Sequence, residues 1–178
     1  NRALLRAAAK LPSEPLWLEQ VHGIHVVEHP GPAAPGAVQP RADAAVAFEP
    51  GRVCVVMTAD CLPVVFADRS GTRIGVAHAG WRGLVGGVLE ATVAALQAQP
   101  DQLVAWLGPA IGPDAFEVGP EVRDAFIARD AANDAAFVRN ATGRFQADLY
   151  RLARNALARV GVHRVSGGGH CTQREAAE

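Results

Sequence analysis

Three cysteines cannot all pair within one chain, so a disulfide framework does not hold this protein together. No apolar run approaches the ~20 residues that cross a bilayer, and the first residues carry no signal-like apolar stretch. Basic excess is also missing: 17 Lys and Arg stand against 18 Asp and Glu, a net charge of −1, which gives nucleic acid and anionic membrane nothing to grip. These absences leave a reducing, cytoplasmic protein as the expectation. What is present is 178 residues, 49% hydrophobic, enough for one domain over 1–178 with a sizeable core. The opening at Asn1-Arg2 and the halt at Glu178, without a closing turn or cap, read as trimming or disorder at both ends. The oligomeric state is not legible.

The chain is organised around Val53 to Val93. Two apolar runs, Val53 to Ala59 and Pro63 to Ala67, have the β-branched content of buried strands, and a Ser70-Gly71 turn leads into a third, Arg73 to His78. A helix is expected from Leu84, where apolar residues fall at 84, 85, 88, 89, 93 and 96. Asp60 and Cys61 follow the first strand, and His78 with Ala79-Gly80-Trp81-Arg82-Gly83 follows the third. A thiol and an imidazole at the ends of neighbouring strands can converge on one point.

Upstream, Asn1 to Lys10 suggests a short amphipathic helix, capped by Asn1, with Leu4 and Leu5 on one side. Leu16 to Glu28 alternates like strands broken near Gly23, Pro30 to Pro40 is a loop, and Ala42 to Phe48 is a strand opened by Asp43. Downstream, Val104 to Leu107 is a strand, Ala110 to Gly119 a fixed loop, and Pro120 to about Arg129 a helix. Ala147 to Val160 puts Leu149, Leu152, Ala156, Leu157 and Val160 on one helix face, Arg159 near the negative end, with Gly161 as left-handed cap. Val162 to Val165 is a last strand, and three glycines deliver His170 and Cys171. His25, His29 and His163 read as surface residues, and Cys54 as an inert core thiol. Strands and helices alternate without regular βαβ spacing, so a mixed sheet with helices outside is expected.

TADC followed by HAGWRG, with QVHG at Gln20 to Gly23, LGPAIGP and FEVG downstream, and Cys171-Thr172 near the end, resembles the YfiH-like laccase-domain family. Its members are described as multifunctional purine nucleoside phosphorylases and adenosine deaminases. The matching blocks run from Gln20 to Thr172. The resemblance implies an α/β fold of α+β type, with layered mixed β-sheets and helices on the outer faces. It also implies that His22, Cys61 and His78 are metal ligands, a two-His, one-Cys set that suits Zn²⁺, copper less so, with one position open. Without it, these three side chains read as a buried thiol and two backbone-bonded imidazoles. Family members often carry cysteine where this chain has Asp114-Ala115, and they continue past the Cys-Thr pair into an aromatic, arginine-containing tail.

Two chemistries follow from that resemblance. Open zinc lowers the pKa of bound water from about 16 toward ~7, which serves deamination of adenosine. The His-x-Glu signature of other zinc deaminases is absent, so the proton carrier falls among Asp60, Asp43 and Glu117, with Asp60 placed first for its adjacency to Cys61. Phosphorolysis of purine nucleosides requires an inorganic phosphate site, for which Arg82 between Gly80 and Gly83 is the candidate, the alternative being an arginine stacked on Trp81. Trp81 offers a face to a purine, and Gln20 a donor to substrate or a partner for His22. The competing readings are a cysteine hydrolase with Cys61 as nucleophile and His78 as base, a copper-dependent phenol oxidase, and a non-catalytic zinc-binding module.

Overall fold

The computed structural model describes residues 2–31 and 38–175. In chain order the elements are α1 (Arg2–Ala8), β1 (Val26–Glu28), β2 (Ala44–Ala47), β3 (Leu62–Asp68), β4 (Ile74–Ala79), α2 (Trp81–Gly86), α3 (Val88–Ala95), β5 (Leu103–Leu107), β6 (Glu117–Val118), α4 (Pro120–Arg129), β7 (Phe137–Arg139), β8 (Phe145–Ala147), α5 (Leu149–Arg159) and β9 (Arg164–Gly167). Six strands form a mixed sheet in the order β1-β2-β4-β3-β5-β9, and β6-β8-β7 form a small antiparallel one. The β3-β4 hairpin lies at the centre of the large sheet, flanked antiparallel by β2 and β5, while β1 and β9 close its edges in parallel.

Strand alternation decides which face is packed. Leu62, Val64 and Phe66 of β3 and Leu103, Ala105 and Leu107 of β5 point into a core shared with Leu84, Leu89 and Val93 of the central helices and with Leu149, Leu152 and Leu157 of α5. The opposite face is covered in part by a smaller cluster of Leu16, Leu18, Ala42, Ala45 and Val76, with Cys54 and Val56 against it. That second cluster explains why the expected strand Val53 to Ala59 does not form. Its apolar residues cap the sheet from outside rather than joining it, and only Cys54 makes a single bridge, to Leu16. The backbone of Met57 is paired by a side chain instead: the Gln20 amide donates to Met57 O at 2.8 Å and accepts from Met57 N at 2.7 Å.

Other boundaries shift for local reasons. The helix expected from Leu84 starts at Trp81 directly after the strand end, and Gly87, at φ +104°, breaks it into α2 and α3. The last strand begins two residues later than expected, because Val162 is consumed in the buried connection behind Gly161, whose φ of +84° confirms the left-handed cap. The hairpin β7-β8 was not anticipated; its strands have three residues each, too few to show a period. α1 forms as expected but buries nothing, with Leu4 and Leu5 both exposed. The Asn1 cap and most of the 30–40 loop lie outside the described residues. Arg159 of α5 pairs with Glu90 of α3 and with Asp130, the residue that follows α4.

Arg154 of α5 donates to the carbonyls of Val165 at 3.1 Å and Gly167 at 2.8 Å. Gly168 donates inward to Leu107, so these alternate carbonyls are the ones β9 turns away from β5. One guanidinium therefore closes an edge that would otherwise offer a strand for pairing. Replacing Arg154 by Ala should cost about 1–2 kcal/mol, the worth of two partly exposed charge-assisted bonds, measured as a lowered urea midpoint at unchanged slope.

Candidate metal centre

The β2-β4-β3 register brings distant residues to one end of the sheet. His78 lies near the end of β4, paired with Pro63, so the start of β3 with Cys61 before it lies alongside. His22 comes from the loop ahead of β1. That loop is held by Asp43, the residue before β2, whose carboxylate accepts from the backbone N–H of Val21 (3.2 Å), His22 (2.9 Å) and Gly23 (2.7 Å). The same carboxylate accepts from Nδ1 of His78 at 2.8 Å. His22 itself has φ +59°, a left-handed backbone unusual for a residue with a side chain.

The result is a three-donor cluster. One ligand atom from each of His22, Cys61 and His78 lies within 4.8 Å of the others, the only such His, Cys, Asp and Glu group among the described residues. His22 Nε2 is 3.8 Å from Cys61 Sγ, and the two imidazoles meet edge to face with centroids 4.8 Å apart. The donors fit a borderline-soft divalent ion: two imidazoles and a sulfur, with Nδ1 of His78 committed to a carboxylate as metal-bound histidines usually are. The glycines of the central motif preserve the space. A Cβ at Gly80 would come within 2.9 Å of both Cys61 Sγ and His22 Cδ2, and one at Gly83 within 2.9 Å of Gly23 O.

The electrostatics differ at each group. Burial alone would raise the Asp43 carboxyl, but the His78 bond and the three amides outweigh it and hold its pKa below the usual range. Burial, then the nearby Asp60 and Asp43 carboxylates, push the Cys61 thiol up. A bound cation opposes that shift, since the thiolate is the ligating form. Burial pushes Cys54 to about 11. Cys171 is lowered, first by the N–H of Gly112, which meets its sulfur at 3.2 Å.

The other candidates occupy defined places. Asp60 is exposed; its Oδ1 accepts from the Thr172 hydroxyl at 2.6 Å, tying the Cys-Thr pair to the residue before Cys61. Arg82 is exposed, forms no carboxylate pair among the described residues, and lies over the Trp81 ring at 4.5 Å. Trp81 rests its other surface partly on the core. Gln20 spends both ends of its amide on Met57, and Glu117 is engaged by Asn140 and Arg144 in the small sheet. His25 and His163 are exposed as expected, whereas His29 is buried at 8%, its Nδ1 accepting from Gly31 N. The His29 N–H donates to Val46 O at 2.8 Å, so the β1-β2 pairing carries this residue against the sheet. His170 pairs with Glu175 on the surface. Asp43 carries more of the site than its expected places, opening a strand and among three proton-carrier candidates, assigned it. A cleft of 390 Å³ lined by Tyr150, Arg154, His170, Cys171 and Arg174, among others, lies at the same end of the sheet but includes none of the three donors.

A family model described as multi-copper polyphenol oxidoreductase laccase matches residues 1–178. The chain is 55% identical over 175 residues to the purine nucleoside phosphorylase YfiH of Escherichia coli (strain K12), covering 98% of this chain and 70% of that protein. It is 58% identical over 168 residues to the purine nucleoside phosphorylase PA4543 of Pseudomonas aeruginosa, covering 94% and 67%. The crystal structure of Neisseria meningitidis protein NMB0706 superposes with a TM-score of 0.92 at 46% identity, over 99% of this chain and 71% of that one.

Gly80→Ala should lose bound metal while keeping its circular dichroism spectrum, because the added methyl enters the donor cluster and little else; mass-spectrometric metal content reads the loss. In metal-free protein at pH 7.5, alkylation should run Cys171 first, Cys61 slowly and Cys54 slowest, following the directions of their pKa shifts. Peptide mapping after timed iodoacetamide treatment checks the order.

Proposed function

The chain belongs to the family described as multi-copper polyphenol oxidoreductase laccase, and we propose that within it this protein is a cytoplasmic, zinc-dependent purine nucleoside phosphorylase. The observation that carries the reading is the convergence of His22, Cys61 and His78 in a chain closely similar to proteins named for that activity. Its substrates are purine nucleosides, adenosine, inosine, guanosine and methylthioadenosine types included, together with inorganic phosphate. Adenosine deaminase activity belongs to the same proposal.

Zinc held by these three donors would supply a Lewis acid with one position open to a polar group of the substrate. The remaining work falls to the chain itself. In phosphorolysis a phosphate oxygen bonds to the ribose C1′ as the bond from C1′ to the purine nitrogen breaks, and the departing base takes its electrons and needs a proton. Arg82 supports the phosphate role because its guanidinium is exposed, has no carboxylate partner among the described residues and is held in place by Trp81. Trp81 presents the aromatic surface nearest that arginine. Asp60 is the proton-handling carboxylate of the proposal: Thr172 holds one oxygen, and the other has no hydrogen bond among the described residues. Gln20 braces the loop that bears His22 through Met57.

The rival readings meet specific obstacles. A nucleophilic Cys61 needs a depressed pKa, and its surroundings raise it. A multicopper oxidase needs several ligand clusters, and the described residues hold one. A purely structural zinc module needs a fourth protein ligand, and among the described residues the cluster has three.

Cys61→Ala and His78→Ala should abolish both metal retention and phosphate-dependent release of base from inosine or adenosine, measured by mass spectrometry and chromatography. Turnover that persists after metal loss would refute the zinc assignment. Arg82→Ala should raise KM for phosphate about tenfold with a smaller change for nucleoside, the loss of one charge-assisted contact. Steady-state kinetics with phosphate varied decides it.

A further inference from the structure

We propose that Asp43 is the positioning residue of the donor cluster: one buried carboxylate both selects the nitrogen that His78 offers to a metal ion and holds the backbone that presents His22. The inference rests on the three-donor reading of the site and not on the identity of the nucleoside.

Four N–H groups converge on two oxygens. Oδ1 takes His78 Nδ1 at 2.8 Å and His22 N at 2.9 Å, and Oδ2 takes Val21 N at 3.2 Å and Gly23 N at 2.7 Å. The side chain is fully buried, so no solvent competes for these bonds. A carboxylate facing only donors is an acceptor at both oxygens, and Nδ1 of His78 must then carry its proton. The lone pair of the neutral ring is left on Nε2, the same nitrogen that His22 turns toward Cys61. The main chain reinforces the pairing, since His78 N donates to Asp43 O at 2.7 Å.

The second half of the role concerns His22. Its left-handed backbone is disfavoured for an L side chain and persists only where the surroundings fix it. Asp43 binds the amide of that residue and of both its neighbours, clamping the whole turn. The turn is also closed from the helix side, where a Cβ at Gly83 would lie 2.9 Å from Gly23 O. Asparagine is nearly the same size but cannot substitute. It brings one acceptor oxygen and an NH₂, and that NH₂ would face either the Val21 and Gly23 amides or the His78 N–H, donor against donor.

The test has two arms. Long-range ¹⁵N–¹H NMR of the histidine rings in the metal-free, unsubstituted protein should show a proton on Nδ1 of His78; a ring protonated on Nε2 and bare at Nδ1 would overturn the proposal without any variant being made. Titration with Co²⁺, followed by its ligand-field and sulfur charge-transfer absorption, should show Asp43→Asn binding about 10–100-fold more weakly than the parent, as loss of a carboxylate behind a ligating imidazole does. Asp43→Asn should also show mixed tautomers at His78. Asp68→Asn, which alters a turn carboxylate bonded only within its own loop, should bind like the parent. Binding by Asp43→Asn within about threefold of the parent, with the His78 tautomer unchanged, would overturn the positioning role. If the parent itself takes up no Co²⁺, the metal reading fails, and the tautomer measurement still decides what Asp43 does.

Discussion

The carboxylate of Asp43 connects three parts of the chain that sequence separates. It lies at the entrance to β2, grips the loop ahead of β1 through three amides, and holds the ring near the end of β4. The burial that makes this group costly to leave unpaired also makes each of its bonds strong once satisfied. The loop 21–23 has no ladder of its own, so this carboxylate stands in for one. Remove it and the two imidazoles lose their common reference, although the sheet beneath them remains.

Around that point the fold supplies rigidity in layers. The central β3-β4 hairpin fixes Cys61 relative to His78 through backbone pairing. The glycines of HAGWRG let the loop, the helix start and the sulfur approach more closely than side chains would allow. Farther out, Thr172 reaches Asp60 and the Gln20 amide imitates a strand residue against Met57. The site is thus assembled from side-chain hydrogen bonds laid over the end of a sheet that supplies His78 itself, while His22 and Cys61 lie just outside its strands. This division is common where binding residues sit on loops carried by a stiff scaffold.

Much of this was legible in the residues. Periodicity and turn chemistry placed the hairpin strands at 63–67 and 73–78, observed at 62–68 and 74–79, and the helices at 120–129 and 147–160, observed at 120–129 and 149–159, with the glycine cap at 161. The grouping of His22, Cys61 and His78 followed from motif resemblance, since residues separated by 39 and 17 positions have no local pattern. Illegible were features set by tertiary packing. The run 53–59 has a strand's composition yet covers the sheet's outer face, a choice made by Leu16 and Val76 rather than by its own residues. His29 looks like a surface histidine, yet its pairing with Val46 on the neighbouring strand draws it into the fold. Asp43 reads as a strand-opening turn residue because three of its four partners lie at least 20 residues upstream and the fourth 35 downstream.

The contrast with a zinc finger is instructive. There the ion pulls an unfolded peptide into shape, so chelation and collapse are one event. Here the donors are recruited by the pairing of β2, β3 and β4 and by a carboxylate clamp that acts between protein groups alone. The three donors are brought together by protein groups alone, so the centre's geometry is a property of the fold itself and not of whatever it would hold.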